Sequence, residues 1–135
     1  AAASLEPQYE AAFTAYHSGD YRRSLEFLRL VESMHPGYGE ALFLKGFDLQ
    51  MLGRLEEAVT AYRAYLASHP DQPQVHFNMG HALIELGRCA EAVGHLERTL
   101  QLRPDYDEAR EHLSRCQPDS PMRSAGVPAT ESMDG

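Results

Sequence analysis

The stretch GEALFLKGFDLQMLGRLEEAVTAYRAYLASHPDQ, residues 39–72, decides the fold. Leu42, Leu44, Leu49 and Leu52 fall at helical spacing ahead of Gly53. Beyond it, Leu55, Ala58, Val59, Tyr62 and Leu66 keep that period up to His69 and Pro70. Glycine ends the first run because it tolerates a left-handed cap, and proline lies past the second because it cannot continue a helix. The stretch therefore predicts a helical hairpin. Its marks recur in both directions. Gly19, Gly53 and Gly87 are spaced by 34 residues, and so are Pro36, Pro70 and Pro104. Units 5–38, 39–72 and 73–106 align without insertion. Small residues share two more phases, Ala12, Gly46 and Gly80 in the first helix and Ser24, Ala58 and Ala92 in the second, where two helices must approach closely. Asp20 is placed to cap the second helix of the first unit. No alternating β-branched run is present, so strands are not expected.

One hairpin cannot bury its own apolar face, so neighbours stack and the ends need caps. Residues 107–116 read as such a cap. They begin like another first helix, with Ala109 and Leu113, but carry Arg110, Glu111, His112 and Arg115 for solvent. The whole pattern resembles the tetratricopeptide repeat, with a period of 34, a small residue at unit position 8, Gly at 15, a small residue at 20 and Pro at 32. The resemblance covers residues 5–106. It implies an all-α solenoid, a right-handed superhelix of three helix-turn-helix hairpins with a C-terminal capping helix, whose first helices line the concave side. The expected organisation is an N-terminal extension at 1–4, repeats at 5–38, 39–72 and 73–106, and a capping helix at 107–116. Residues 117–135, with Pro118, Pro121 and Pro128, read as a flexible tail or linker, or as a peptide that docks.

Composition narrows the function classes. The 135 residues are 43% hydrophobic and 24% charged, which is globular. Twelve Lys and Arg against twenty Asp and Glu give a net charge of −8. That balance argues against a nucleic-acid partner held through its phosphates and against an anionic membrane surface. No apolar run is long enough for a transmembrane helix, and no signal peptide is visible. The chain opens at Ala1 without Met, as removal of an upstream segment would leave it, and the compartment stays open with the cytoplasm slightly favoured. Cys89 and Cys116 are too few for a disulfide framework. They are expected to be packed small residues rather than a redox pair, although they lie in neighbouring helices.

The resemblance implies a concave wall built from unit positions 2, 5, 9, 12 and 13. Position 5 holds Tyr9, Phe43 and Phe77, and position 9 holds Phe13, Phe47 and His81. Position 12 holds Tyr16, Gln50 and Ile84, position 13 holds His17, Met51 and Glu85, and position 2 holds Glu6, Glu40 and Gln74. Tyr9, Phe13 and Tyr16 lie at i, i+4 and i+7 on one helix face. An aromatic stripe of this kind is a packing signature as well as a binding one. Two Phe at position 9, where the family often carries a small or polar residue, favour a peptide-binding groove. The expected anchors are Tyr9, Phe13, Tyr16, Phe43, Phe47 and Phe77. The expected polar readers are Gln50, Asn78, His81 and Glu85. The partner is expected to be a protein or peptide with apolar side chains, with basic residues to meet Glu6, Glu40 and Glu85. Burying each ring contributes about 1.5–3 kcal/mol, which after ordering costs corresponds to binding near the micromolar range, roughly −8 kcal/mol.

Two known uses of the repeat do not fit. Co-chaperones that grip a C-terminal carboxylate use Lys and Asn at positions 5, 6 and 9, and of these only Asn78 is present. The asparagine ladder of sugar-transferase repeat arms likewise reduces to Asn78. The first unit, YEAAFTAYHSGDY at 9–21, is similar to the first repeat of the type III secretion chaperones that guard translocator proteins. That likeness implies a small acidic chaperone holding an apolar client segment. A scaffold or adaptor module, such a chaperone, the arm of a larger enzyme, and a self-associating repeat all remain open at this point.

Catalysis within the chain is not expected. No phosphate-binding loop, Ser-His-Asp order or Cys-His pair is recognisable, and Glu56 and Glu57 read as a solvated face. Seven histidines form no His-x-x-x-His pair on a helical face, so neither a metal nor a cofactor is expected. His81 and Glu85, at i and i+4, are placed to hydrogen-bond. Lys45, at a usually apolar position, is expected to snorkel or to pair with a carboxylate such as Asp48.

Overall fold

The computed structural model describes residues 6–117, without the side chain of Glu6. The expected N-terminal extension and, Gln117 apart, the expected tail lie outside the described residues. The described residues form seven helices and no strand: α1 (Glu6–His17), α2 (Tyr21–Met34), α3 (Gly39–Met51), α4 (Leu55–Ser68), α5 (Pro73–Glu85), α6 (Cys89–Leu102) and α7 (Asp107–Arg115). The fold is an all-α repeat fold, as the 34-residue pattern predicts. The described residues divide into two compact units, α1–α4 up to Pro70 and α5–α7 from Asp71.

In the first unit, Gly19 and Gly53 end α1 and α3 with φ of 82° and 80°, the left-handed region that the turn requires. Asp20 caps α2 by accepting the Arg23 N–H at 3.2 Å. The core gathers Ala12, Leu28, Val31, Ala41 and Leu44, with Tyr9, Tyr16, Phe27, Tyr38 and Phe43 packed against them. The small-residue phases mark the closest approaches. A Cβ on Gly46 would stand 2.5 Å from the Tyr62 ring. Tyr62 is itself fully buried, and its hydroxyl donates to Gln50 Oε1 at 2.7 Å. Lys45 pairs with Glu32 at 3.2 Å and not with Asp48. The reason is burial. Asp48 has no exposed surface, whereas the Lys45 ammonium stays at the rim where an α2 carboxylate meets it.

In the second unit, α5 and α6 approach at Gly80, where a Cβ would lie 2.7 Å from Leu96 Cγ. Met79, Ala82, Leu83, Ala92, Leu96 and Ala109 have no exposed surface. Arg98 reaches back to Asp71 at 2.7 Å. The two cysteines correct the sequence expectation. Cys89, the first residue of α6, and Cys116, the C-cap of α7, form a disulfide with Cα atoms 5.4 Å apart. Periodicity assigned each cysteine to a helix but was silent on how far α7 returns along α6. That return carries its C-terminal end to the start of α6.

Candidate functional site

The aromatic residues of the first unit form a row of rings on α1 and α3. Tyr9 stacks on Phe13 with centroids 6.3 Å apart, and Phe13 stacks on Tyr16 at 6.2 Å. Tyr16 then meets Phe47 edge-on at 5.4 Å, which carries the row from α1 to α3. Tyr21 closes the cluster at 6.1 Å from Phe47. The i, i+4, i+7 spacing on α1 produces the first three members. Tyr9 also leans edge-on against Tyr38 at 5.5 Å, and Phe43 lies 6.0 Å from Tyr65 of α4. Tyr9, Tyr16, Phe43 and Phe47 are half-buried, so part of each ring packs the unit and part faces outward. Phe13 differs. It is 44% exposed although it is a large apolar ring, with the His17 imidazole edge-on at 4.3 Å. Met51, at position 13 of its repeat, is 51% exposed.

The electrostatics of this row are acidic. Burial, then Glu40, then Tyr38 push the Tyr9 phenol up to about 12. Burial and then Glu40 also raise Tyr65. Glu40 is exposed and bears on both phenols, so a negative charge flanks the row. Gln50 turns inward, with its side-chain oxygen accepting from Tyr62. Beneath the row lies Asp48, fully buried, with neither carboxylate oxygen in a hydrogen bond. Burial pushes its pKa up to about 7. The Ser24 hydroxyl pulls the other way, but it does not reach hydrogen-bonding geometry and is itself buried without a partner.

In the second unit Phe77, Asn78, His81 and Glu85 are all on α5, and α7 lies over two of them. Phe77 stacks on Tyr106 at 5.0 Å and meets His112 of α7 at 4.9 Å. His81 Nδ1 and His112 Nε2 are 2.8 Å apart and share a hydrogen bond. His81 Nε2 lies 3.3 Å from Glu85, the contact expected from their spacing. Asn78 is buried and accepts from Gln74 Nε2 at 3.0 Å. Ile84, placed on the wall by its repeat position, is buried as well. Burial first, then Arg115 and His81, lower the His112 pKa. A second ring-nitrogen pair, His76 and His95 at 3.1 Å, joins α5 to α6.

The sequence reading missed Tyr21, Tyr38, Tyr65, Tyr106 and His112. A signal existed for two of them. Tyr38 and Tyr106 each follow a repeat proline by two residues, at the last position of their unit. His112, expected to face solvent on the cap, is instead buried, because its partner comes from another helix. Among the described residues no group of His, Cys, Asp and Glu is arranged to hold a metal ion, and no helix is long and apolar enough to cross a membrane.

The sequence matches the tetratricopeptide repeat family over residues 9–73, 48–107 and 77–117. The chain belongs to that family. Proteins of this family bind proteins or peptides. No curated protein matches the chain. Among solved structures, MamA from Desulfovibrio magneticus RS-1 is similar with a TM-score of 0.83 and 18% identity, covering 97% of this chain and 73% of that one. The Yersinia enterocolitica type III secretion translocator chaperone SycD is similar with a TM-score of 0.69 and 24% identity, covering 91% of each chain. Both likenesses are of fold. An O-GlcNAc transferase mutant from Thermobaculum terrenum is 31% identical with a TM-score of 0.74 over 83% of this chain. This tetratricopeptide repeat chain spans only 22% of that protein's length.

Proposed function

We propose that this chain is a protein-interaction module that takes an apolar peptide segment of a partner on its aromatic wall. Tyr9, Phe13, Tyr16, Phe43 and Phe47 of the first unit serve as its anchors, because Gln50 turns inward to Tyr62, Asn78 is buried, and Phe77 and His81 lie under α7. The single observation that carries this reading is Phe13. A stacked aromatic ring left 44% exposed is poorly used by the fold itself. Glu40 beside Tyr9 and Tyr65 supports a partner with a basic residue next to its apolar ones. The mechanism is binding by a preformed wall, with no bond made or broken.

The test is selection of short random peptides on the parent chain, followed by measurement of the best binder on Phe13→Asp. Phe13 is exposed, so that change leaves folding intact while putting a charge in the row. Selected peptides rich in apolar residues, with affinity lost tenfold or more in Phe13→Asp, support the reading. Equal binding by the folded variant rejects it.

A second reading, a chaperone for an apolar client, is favoured by residues 9–21 of the first repeat and by the likeness to the SycD translocator chaperone over 91% of each chain. Co-expression separates the two. A chaperone keeps its client soluble before the client folds, whereas an adaptor binds a partner that is soluble alone.

A further inference from the structure

We propose that the Cys89–Cys116 disulfide is a redox clasp that holds α7 closed over the third repeat's wall, so that a dithiol reductant uncovers His81 and the side of Phe77 that faces His112. Four placements lead to it. First, α7 has nine residues, too short to be stable without tertiary contacts. Second, it is tied at both ends. Residues 103–106 join its start to α6, and the disulfide joins its C-cap to the first residue of α6. Third, what it covers is specific. His112 of α7 sits 4.9 Å from Phe77 and hydrogen-bonds His81 at 2.8 Å. Fourth, the bond is reachable from one side. Cys116 is only 3% exposed, whereas Cys89 is half-buried at the helix start.

The exchange follows from that asymmetry. A dithiol's thiolate attacks the Cys89 sulfur. The S–S bond breaks, Cys116 leaves as a thiolate and takes a proton, and a mixed disulfide joins the reductant to Cys89. The reductant's second thiol then attacks its own sulfur and forms its internal disulfide, with Cys89 leaving as a thiolate. Cys89 leaves at the N-terminus of α6, where the helix dipole stabilises the anion. The reductant loses two electrons and the protein gains two thiols. With the clasp undone, the C-terminal end of α7 loses its covalent tie to α6 while His112 keeps its contacts with Phe77 and His81, and the helix opens from its C-terminal end.

The clasp stands on the second unit's geometry alone, and what the uncovered wall takes rests on the peptide reading above. The experiment is hydrogen exchange of the whole chain, oxidised and after dithiothreitol, with the rate of His81 modification by diethylpyrocarbonate as a second readout. The α7 amides exchange tenfold or more faster after reduction, beyond any change in α5 and α6, and His81 reacts faster. The Cys89→Ser/Cys116→Ser variant shows the reduced pattern with and without dithiothreitol. Unchanged α7 exchange, or a rise equal in α5, α6 and α7, overturns the proposal. Loss of peptide binding with α7 still opening on reduction would count against the peptide reading and leave the clasp standing.

Discussion

Replacing Asp48 by Asn tests how the first unit is held together. Asp48 is fully buried with both carboxylate oxygens unpartnered, and burial moves its pKa from 3.8 to about 7. The folded pKa lies above the unfolded one, so the folded chain binds this proton more tightly. The resulting stabilisation is complete below about pH 4 and is lost as the pH rises to about 7. At about 1.4 kcal/mol per pKa unit the span is about 4 kcal/mol, and water penetration reduces it to about 2 kcal/mol. Asp48→Asn keeps the volume and removes the charge. It should stabilise the first unit by about 2 kcal/mol near pH 8 and by almost nothing near pH 4.5. The assay is urea-dependent hydrogen exchange of α1–α4 at both pH values, corrected for intrinsic rates, which isolates this unit from the other. A variant less stable than the parent near pH 8 would refute the reasoning, because the carboxylate would then have to be ionised and partnered. So would a variant that keeps the parent's decline with pH.

Three further outcomes follow from the same geometry. Gly46→Ala places a Cβ 2.5 Å from the buried Tyr62 ring, which its bond to Gln50 pins, and should cost about 1–3 kcal/mol, read as a lower midpoint in thermal unfolding. His112 is held below its ordinary pKa, so its contribution is complete above about pH 6.5 and is lost as the pH falls further. The α7 amides should therefore lose protection as the pH falls below about 6.5 in the parent and keep it in His112→Gln. Glu40→Gln should lower the Tyr9 pKa from about 12, seen by spectrophotometric titration of the phenols, because the carboxylate beside it is gone.

The sequence announced its hairpins plainly because each repeat boundary is a local event. A glycine that must take a positive φ and a proline that must stop a helix act within a few residues, and three copies in phase leave little freedom. The close approaches at Gly46 and Gly80 were legible for the same reason. Side chains whose partners come from another element were not. Lys45 chose Glu32, thirteen residues away, because its nearer candidate Asp48 is sealed off from the surface. The His81–His112 bond and the Cys89–Cys116 bridge depend on where α7 comes to rest, which no period encodes. On the wall, spacing placed Tyr9, Phe13 and Tyr16 on one face of α1. It did not foresee that Phe77, expected as an open anchor like Phe13, lies beneath Tyr106 and His112.

The buried carboxylate of α3 and the His112 imidazole of α7 answer protons in opposite senses. Mild acidification firms the N-terminal half as Asp48 takes up its proton, and it softens the C-terminal half as His112 resists one. The difference in stability between the two halves is therefore itself a function of pH.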